Sequence, residues 1–246
     1  MYVPARGVVG VRSLWWDVQA AATFTLNSPD SLHALFQVAT NRHHNPVAAA
    51  ELIREVGLKC ISFNGIPRTI NCLGAFRSDL EPNIQRQLST RSSREVDTSN
   101  VSDVQSRGRA LWDSIYTPFE GKLVAKLAES HPDLPVHILS SHYGPLLADP
   151  PAENRHGLAS VGRGLTSVVA VACLRAQTGV GPQVLSHVFG LRKAVEQGAH
   201  QSEAAEDVDG IEALAGDEGC EWILRSVDSI SEAIGASFAQ ARESKL

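Results

Sequence analysis

With 246 residues, 43% of them hydrophobic and 20% charged, and a net charge of −5, the chain has the composition of an ordinary globular protein. Its basic residues are scattered, with no aromatic-basic patch to suggest nucleic acid, and no apolar run approaches the roughly 20 residues that span a bilayer. The four cysteines, Cys60, Cys72, Cys173 and Cys220, lack the two-residue spacing of a redox dithiol or a zinc knuckle. They read as buried hydrophobes, and neither a metal nor a cofactor is expected.

Residues 1–14 carry basic and apolar side chains without a signal-peptide core. They are expected to be a flexible arm, and whether they form a genuine start stays open. Residues 15–26 are Ala-rich, with Trp15, Trp16 and Phe24, and predict a first helix. Ser28-Pro29-Asp30 then reads as a cap with proline at the first helical position, followed by the stripe Leu32, Leu35, Phe36 and Ala39. Asn45 is placed to cap a helix that begins at Pro46, and the adjacent His43 and His44 read as a solvated turn. Asn64-Gly65 breaks the next stretch, and Pro67 opens a helix with Ile70, Leu73 and Phe76 inward. Arg68, in its first turn, reads as a solvent-exposed side chain, with contact to an anionic substrate as the alternative.

From about 82 to 108 the chain is rich in serine and arginine and poor in periodic hydrophobes. It predicts an extended or mobile connector, in which 101–105 could join a helix. Leu111, Trp112, Ile115 and Tyr116, then Phe119, Leu123, Val124 and Leu127, resume the helical pattern, and 134–143 predicts a short helix closed by Gly144-Pro145. Leu165, Val168, Val169, Ala172, Cys173 and Ala176 line one helix face, which Gly179 can end. Pro182 suits the first turn of the following helix, with Val184, Leu185, Val188, Leu191 and Val195 as its burying positions and Gly198 at a left-handed cap. Gln183 and His187 lie four apart on that helix and so share a face. After Gly198 an acidic run, Glu203 to Glu218, reads as a solvated face. The narrow stripe Ile223, Val227, Ile230, Ile234 and Phe238 suits packing on another helix. The fold class is all-α.

The run Gln183-Val-Leu-Ser-His187-Val-Phe-Gly190, with Gly198 beyond it, resembles the Q-x-x-x-H-x-x-G helix of the carboxymuconolactone decarboxylase and alkyl hydroperoxidase D-like (AhpD-like) family. Gly162-Arg163-Gly164-Leu165-Thr166 is similar to the R-E-L start of that family's preceding helix, with Gly164 in the glutamate's place, and Asn64-Gly65-Ile66-Pro67-Arg68 is similar to an earlier elbow. The resemblance implies an AhpD-like helical domain over 15–240. In the family's hydroperoxidase branch a C-x-x-C dithiol precedes the histidine. The corresponding positions here are Val180 and Gln183, and the upstream glutamate falls near Val168, so that peroxidase chemistry is expected to be absent unless an unusual arrangement brings Cys173 close. The decarboxylase branch keeps the histidine alone. It implies a small-molecule enzyme with His187 as general acid or base and Gln183 as its hydrogen-bonding neighbour. Against this stands a non-catalytic helical scaffold or binding protein in which His187 is a core or interface residue. His137, His142 and His156 could line the same cleft and read more simply as surface residues.

Residues 241–246 form a polar tail ending in Ser244, Lys245 and Leu246, the tripeptide read by the peroxisomal import receptor, which is the expected partner. The expected location is the peroxisome matrix. The wide apolar helix faces and the last stripe predict a homo-oligomer, the alternative being that the 15–26 helix covers the stripe.

Overall fold

The computed structural model describes residues 14–42 and 45–235. Every regular element among them is a helix, as the 3.6-residue periodicity predicts. α1 (Leu14–Thr25) buries all its residues except Trp15 and Gln19. A helix this apolar around its circumference belongs at a centre rather than on a surface. α2 (Pro29–Arg42) and α3 (Pro46–Lys59) pack against it. As the sequence predicts, the Asn45 side chain caps α3, its Oδ1 accepting from the Ala48 amide at 3.0 Å. The short α4 (Ile61–Asn64) turns at Gly65 into α5 (Ile66–Asp79), and the one-turn α6 (Pro82–Gln85) follows. In α5 the buried positions are Thr69, Cys72 and Phe76, whereas Ile70, expected inward, shares the opposite stripe with Ile66 and is exposed.

The expected mobile connector is half helix and half pinned strap. α7 (Val101–Tyr116) takes its C-terminal part. The preceding irregular segment is held to α3: the Ser89 amide donates to Glu51 Oε1 at 2.7 Å, Arg94 pairs with Glu55, and Leu88 is buried. Those polar contacts are tertiary, which is why periodicity gave no sign of them.

α8 (Glu120–Ser130) and α9 (Asp133–His137) lead into a π-helix, Ile138–Leu147, which runs through the expected Gly144-Pro145 stop. α10 (Arg163–Gln177) is the second central helix, exposing only its arginines and Gln177 to any degree. Thr178 and Gly179 leave it with positive φ, and α11 (Gly181–Glu196) folds back along it, ending at Gly198 with φ 69°. α12 (Ala205–Ala215) and α13 (Asp217–Ile234) complete the chain.

Two cores result. The main one surrounds α1 and α10, and a smaller one consists of Trp112, Ile115, Tyr143 and Leu147 from α7 and the π-helix. Phe63 of α4 packs against both. Ile223 and Val227 of the last stripe are fully buried, and α13 packs on α1 and α10. Ile230 and Ile234 of the same stripe are half-buried, and Phe238 lies outside the described residues. Among those residues no helix is long and apolar enough to cross a membrane.

The segment between the π-helix and α10 is tied down by Lys59. Its ammonium is fully buried, 2.6 Å from Asp149, 2.8 Å from the Leu147 carbonyl and 3.0 Å from Thr166 Oγ1, and it also donates to the Val161 carbonyl. Those partners are what makes a buried lysine tolerable.

Candidate functional site

His187 sits where the two cores meet. The helix that carries it can approach α7 and α10 because residue 190 is glycine: a Cβ there would lie 3.1 Å from Ile115 and 3.3 Å from Ser167 Oγ. The Gly190 carbonyl in turn accepts from Arg163 Nη2 at 2.8 Å. Arg163 also donates to Ser114 Oγ and Ser167 Oγ, each at 2.7 Å, so its guanidinium bolts α10 to α7 and α11. Burial lowers its pKa to about 10.

The π-helix delivers the third side of the site. α7 and the π-helix touch through Gly108 and Gly144: a Cβ on Gly108 would lie 2.4 Å from the Gly144 nitrogen, and one on Gly144 would lie 2.8 Å from the Val104 carbonyl oxygen. That closeness brings Tyr143 edge-on to Trp112 and sets its hydroxyl 3.0 Å from the Tyr116 hydroxyl. The Tyr116 hydroxyl lies 3.5 Å from His187 Nε2, long for a resting hydrogen bond but within the range that tightens in liganded sites. Phe63 meets the imidazole edge-to-face at 5.8 Å.

The electrostatics follow from burial. His187 is only 4% exposed and its pKa is pushed down to about 4, first by desolvation and then by the charge of Arg163. It is neutral at physiological pH, and its Nδ1 has no hydrogen-bond partner. Desolvation raises the Tyr116 and Tyr143 phenols, so both stay protonated, while Arg163 pulls each back toward ionisation. The cluster is thus two phenols and a neutral imidazole facing a fixed cation.

Tyr116 reaches the outside. It lines a groove of about 480 Å³ between α7, the start of α8 and α11, whose walls are Ile115, Pro118, Phe119, Leu123 and Phe189. His187 is not among the lining residues, whereas Tyr116, whose hydroxyl its Nε2 contacts, is. Gln183 is exposed one turn earlier on α11 and makes no hydrogen bond to His187, whose ring, among the described residues, bonds to Tyr116.

The other sequence candidates lie elsewhere. His142 Nδ1 contacts Ser62 Oγ at 3.1 Å and its ring meets exposed His137 edge-to-face, while the His156 carbonyl accepts from Ser89. Arg68 donates to the Thr25 carbonyl at 3.0 Å, tying α5 to the end of α1. All four cysteines are free and buried. Cys173 does meet another thiol, Cys60 at 3.5 Å, but in the main core rather than at the groove. Ser244, Lys245 and Leu246, with His43 and His44, lie outside the described residues.

Sequence reasoning missed Tyr116, Tyr143 and the bridging role of Arg163, because the π-helix that gathers them leaves no periodic trace. It also missed Glu203. From the acidic run read as solvated, this carboxylate folds onto the start of α10, where it accepts from the Gly164 and Leu165 amides. A Cβ on Gly164 would come within 2.8 Å of Glu203 Oε1. Glu203 thus fills the space that a side chain at position 164 would need. Compared with protein-family models, curated proteins and solved structures, the chain matches none.

Proposed function

We propose that this chain is a small-molecule enzyme, AhpD-like and akin to carboxymuconolactone decarboxylase, that exchanges a proton between Tyr116 and a ligand in the groove. The observation that carries this reading is the line Tyr143 hydroxyl, Tyr116 hydroxyl, His187 Nε2, spaced 3.0 and 3.5 Å, with Tyr116 itself among the residues that line the groove. A protonated phenol is suited to donate to the carbon of an enolate or dienolate, which becomes a C–H as the phenol becomes a phenolate. Arg163 and the Tyr143 hydroxyl stabilise the phenolate oxygen until a proton returns to it. His187, neutral, fixes the polarity behind Tyr116 and is the basic nitrogen within reach of its hydroxyl when the proton runs the other way. No cysteine is among the described residues that line the groove.

Proton exchange can be followed without identifying a product. Carbonyl-activated acids and unsaturated lactones are incubated in D2O, and loss of their acidic C–H signals is followed by proton NMR. The wild-type protein is expected to exchange at least one class, and folded His187→Ala to lose that exchange. Wild-type protein that exchanges none contradicts the proposal.

The other reading, a non-catalytic binding protein, is favoured by one observation: His187 is 4% exposed and does not line the groove. Exchange without effect of His187→Ala would favour direct chemistry elsewhere in the chain.

Ser244, Lys245 and Leu246 support a further part of the proposal, residence in the peroxisome through the import receptor. A fluorescent fusion with a free C-terminus should enter peroxisomes and remain in the cytosol once those three residues are removed. Unchanged localisation after the deletion contradicts it.

A further inference from the structure

The chain has five lysines, at 59, 122, 126, 193 and 245, and three of them line the groove beside Tyr116. In a chain of net charge −5 that is a concentrated cationic feature, and no aspartate or glutamate lines the same groove. Lys122 and Lys126 are four apart on α8 and therefore stand on one face of it, with Leu123 between them. Lys193 comes from α11 on the other side, its ammonium donating to the Ile115 carbonyl at 3.0 Å. Glu120 and Glu196 are near enough to influence Lys193 but do not line the groove.

The walls are of the opposite character. Phe119 is 59% exposed and Phe189 49%, which is costly surface for side chains of that size unless something covers it. Leu185, one turn before Phe189 on α11, extends the same apolar surface. Apolar walls, Tyr116 at one point and cations around them match one kind of small molecule: an apolar body with an anionic head. The volume, about 480 Å³, lies within the range of small-molecule sites.

We infer that the groove binds an anionic amphiphile, its apolar body against Phe119, Leu123 and Phe189 and its anionic head among Lys122, Lys126 and Lys193. This rests on the reading of Tyr116 as the group that meets the ligand, and it names the substrate class of that site. A carboxylate held by the lysines leaves the apolar body, and any activated C–H within it, to lie past Tyr116.

The experiment uses the full chain and three matched probes below about 1 mM, decanoate, decanol and decyltrimethylammonium, with binding read by calorimetry. Decanoate is expected to bind, decanol about 10-fold or more weaker, and the cation not at all, since losing a charge–charge contact of roughly 1.4 kcal/mol is a factor of ten. Lys122→Gln/Lys126→Gln is expected to weaken decanoate by a similar factor while leaving decanol unchanged, and salt to act in the same direction. Both lysines are exposed, so the double variant should fold; Phe189→Ser, expected to weaken decanoate and decanol alike, provides an independent arm. Equal affinity for decanoate and decanol overturns the inference, as does no binding by the wild type. So does light scattering that shows a dimer which Phe189→Ser dissociates, since the face is then an interface with a second copy. Binding is read without turnover, so the two proposals fail separately. Decanoate bound with no exchange of any compound sinks the enzyme reading alone. Exchange of a short polar acid with which decanoate does not compete sinks this one alone.

Discussion

His187 is buried beside a cation, and both facts oppose its protonation. Its pKa falls from 6.5 to about 4 on folding. Between those values the unfolded chain binds more protons than the folded one, so stability falls as pH drops through the window and is unaffected by this residue above it. The full effect is about 3 kcal/mol at pH 4 and below. Urea midpoints measured between pH 7 and 4 should therefore fall more steeply for wild type than for His187→Gln, in which nothing at this position titrates. Parallel curves contradict the assignment. The sequence pattern singles out His187 as a candidate; that it would be neutral, unpaired at Nδ1 and absent from the groove lining was not legible there. Those properties depend on Arg163 and Phe63, which lie 24 and 124 positions away in the chain.

The element that shapes the site is the π-helix. Its wider turn, with Pro145 lacking an amide donor, places Tyr143 against Trp112 and Tyr116. The arrangement depends on α7 passing close by, which Gly108 and Gly144 allow. Gly108→Ala should cost about 1–3 kcal/mol or more, because its methyl group would meet backbone atoms that cannot swing aside. Gly74→Ala is the control: it lies within α5 with nothing inside 4 Å of the added methyl, and should be neutral or stabilising by up to about 1 kcal/mol. Thermal melts decide it, and an equal effect of the two substitutions contradicts the close approach. Helix starts and stops are legible where a local residue sets them, at Asn45, Pro182 and Gly198. They are not at Gly144-Pro145, where a tertiary contact keeps the chain winding. Similarly, composition points Ile70 inward, but the buried stripe of α5 is decided by which face meets α2 and α3.

At the scale of the molecule, the all-helical class followed from periodicity, and the buried face of α10 was legible residue by residue: Leu165, Val168, Val169, Ala172, Cys173 and Ala176 are all buried. The division into two cores was hidden, since it rests on Phe63, Lys59 and Arg163, single residues whose long-range partners no local pattern reveals. The seam between those cores is where the account places function: a groove outside, His187 inside, and Tyr116 as the link. Tyr116→Phe removes only the linking oxygen and keeps the ring that packs on Trp112. The decisive measurement is the rate of C–H exchange in D2O for wild type and Tyr116→Phe, with the affinity for the same ligand measured alongside. Exchange should fall by about 100-fold or more, as expected for loss of a positioned proton donor, while affinity changes little. Exchange that persists in Tyr116→Phe would mean that the proton does not pass through this hydroxyl, and would contradict the account.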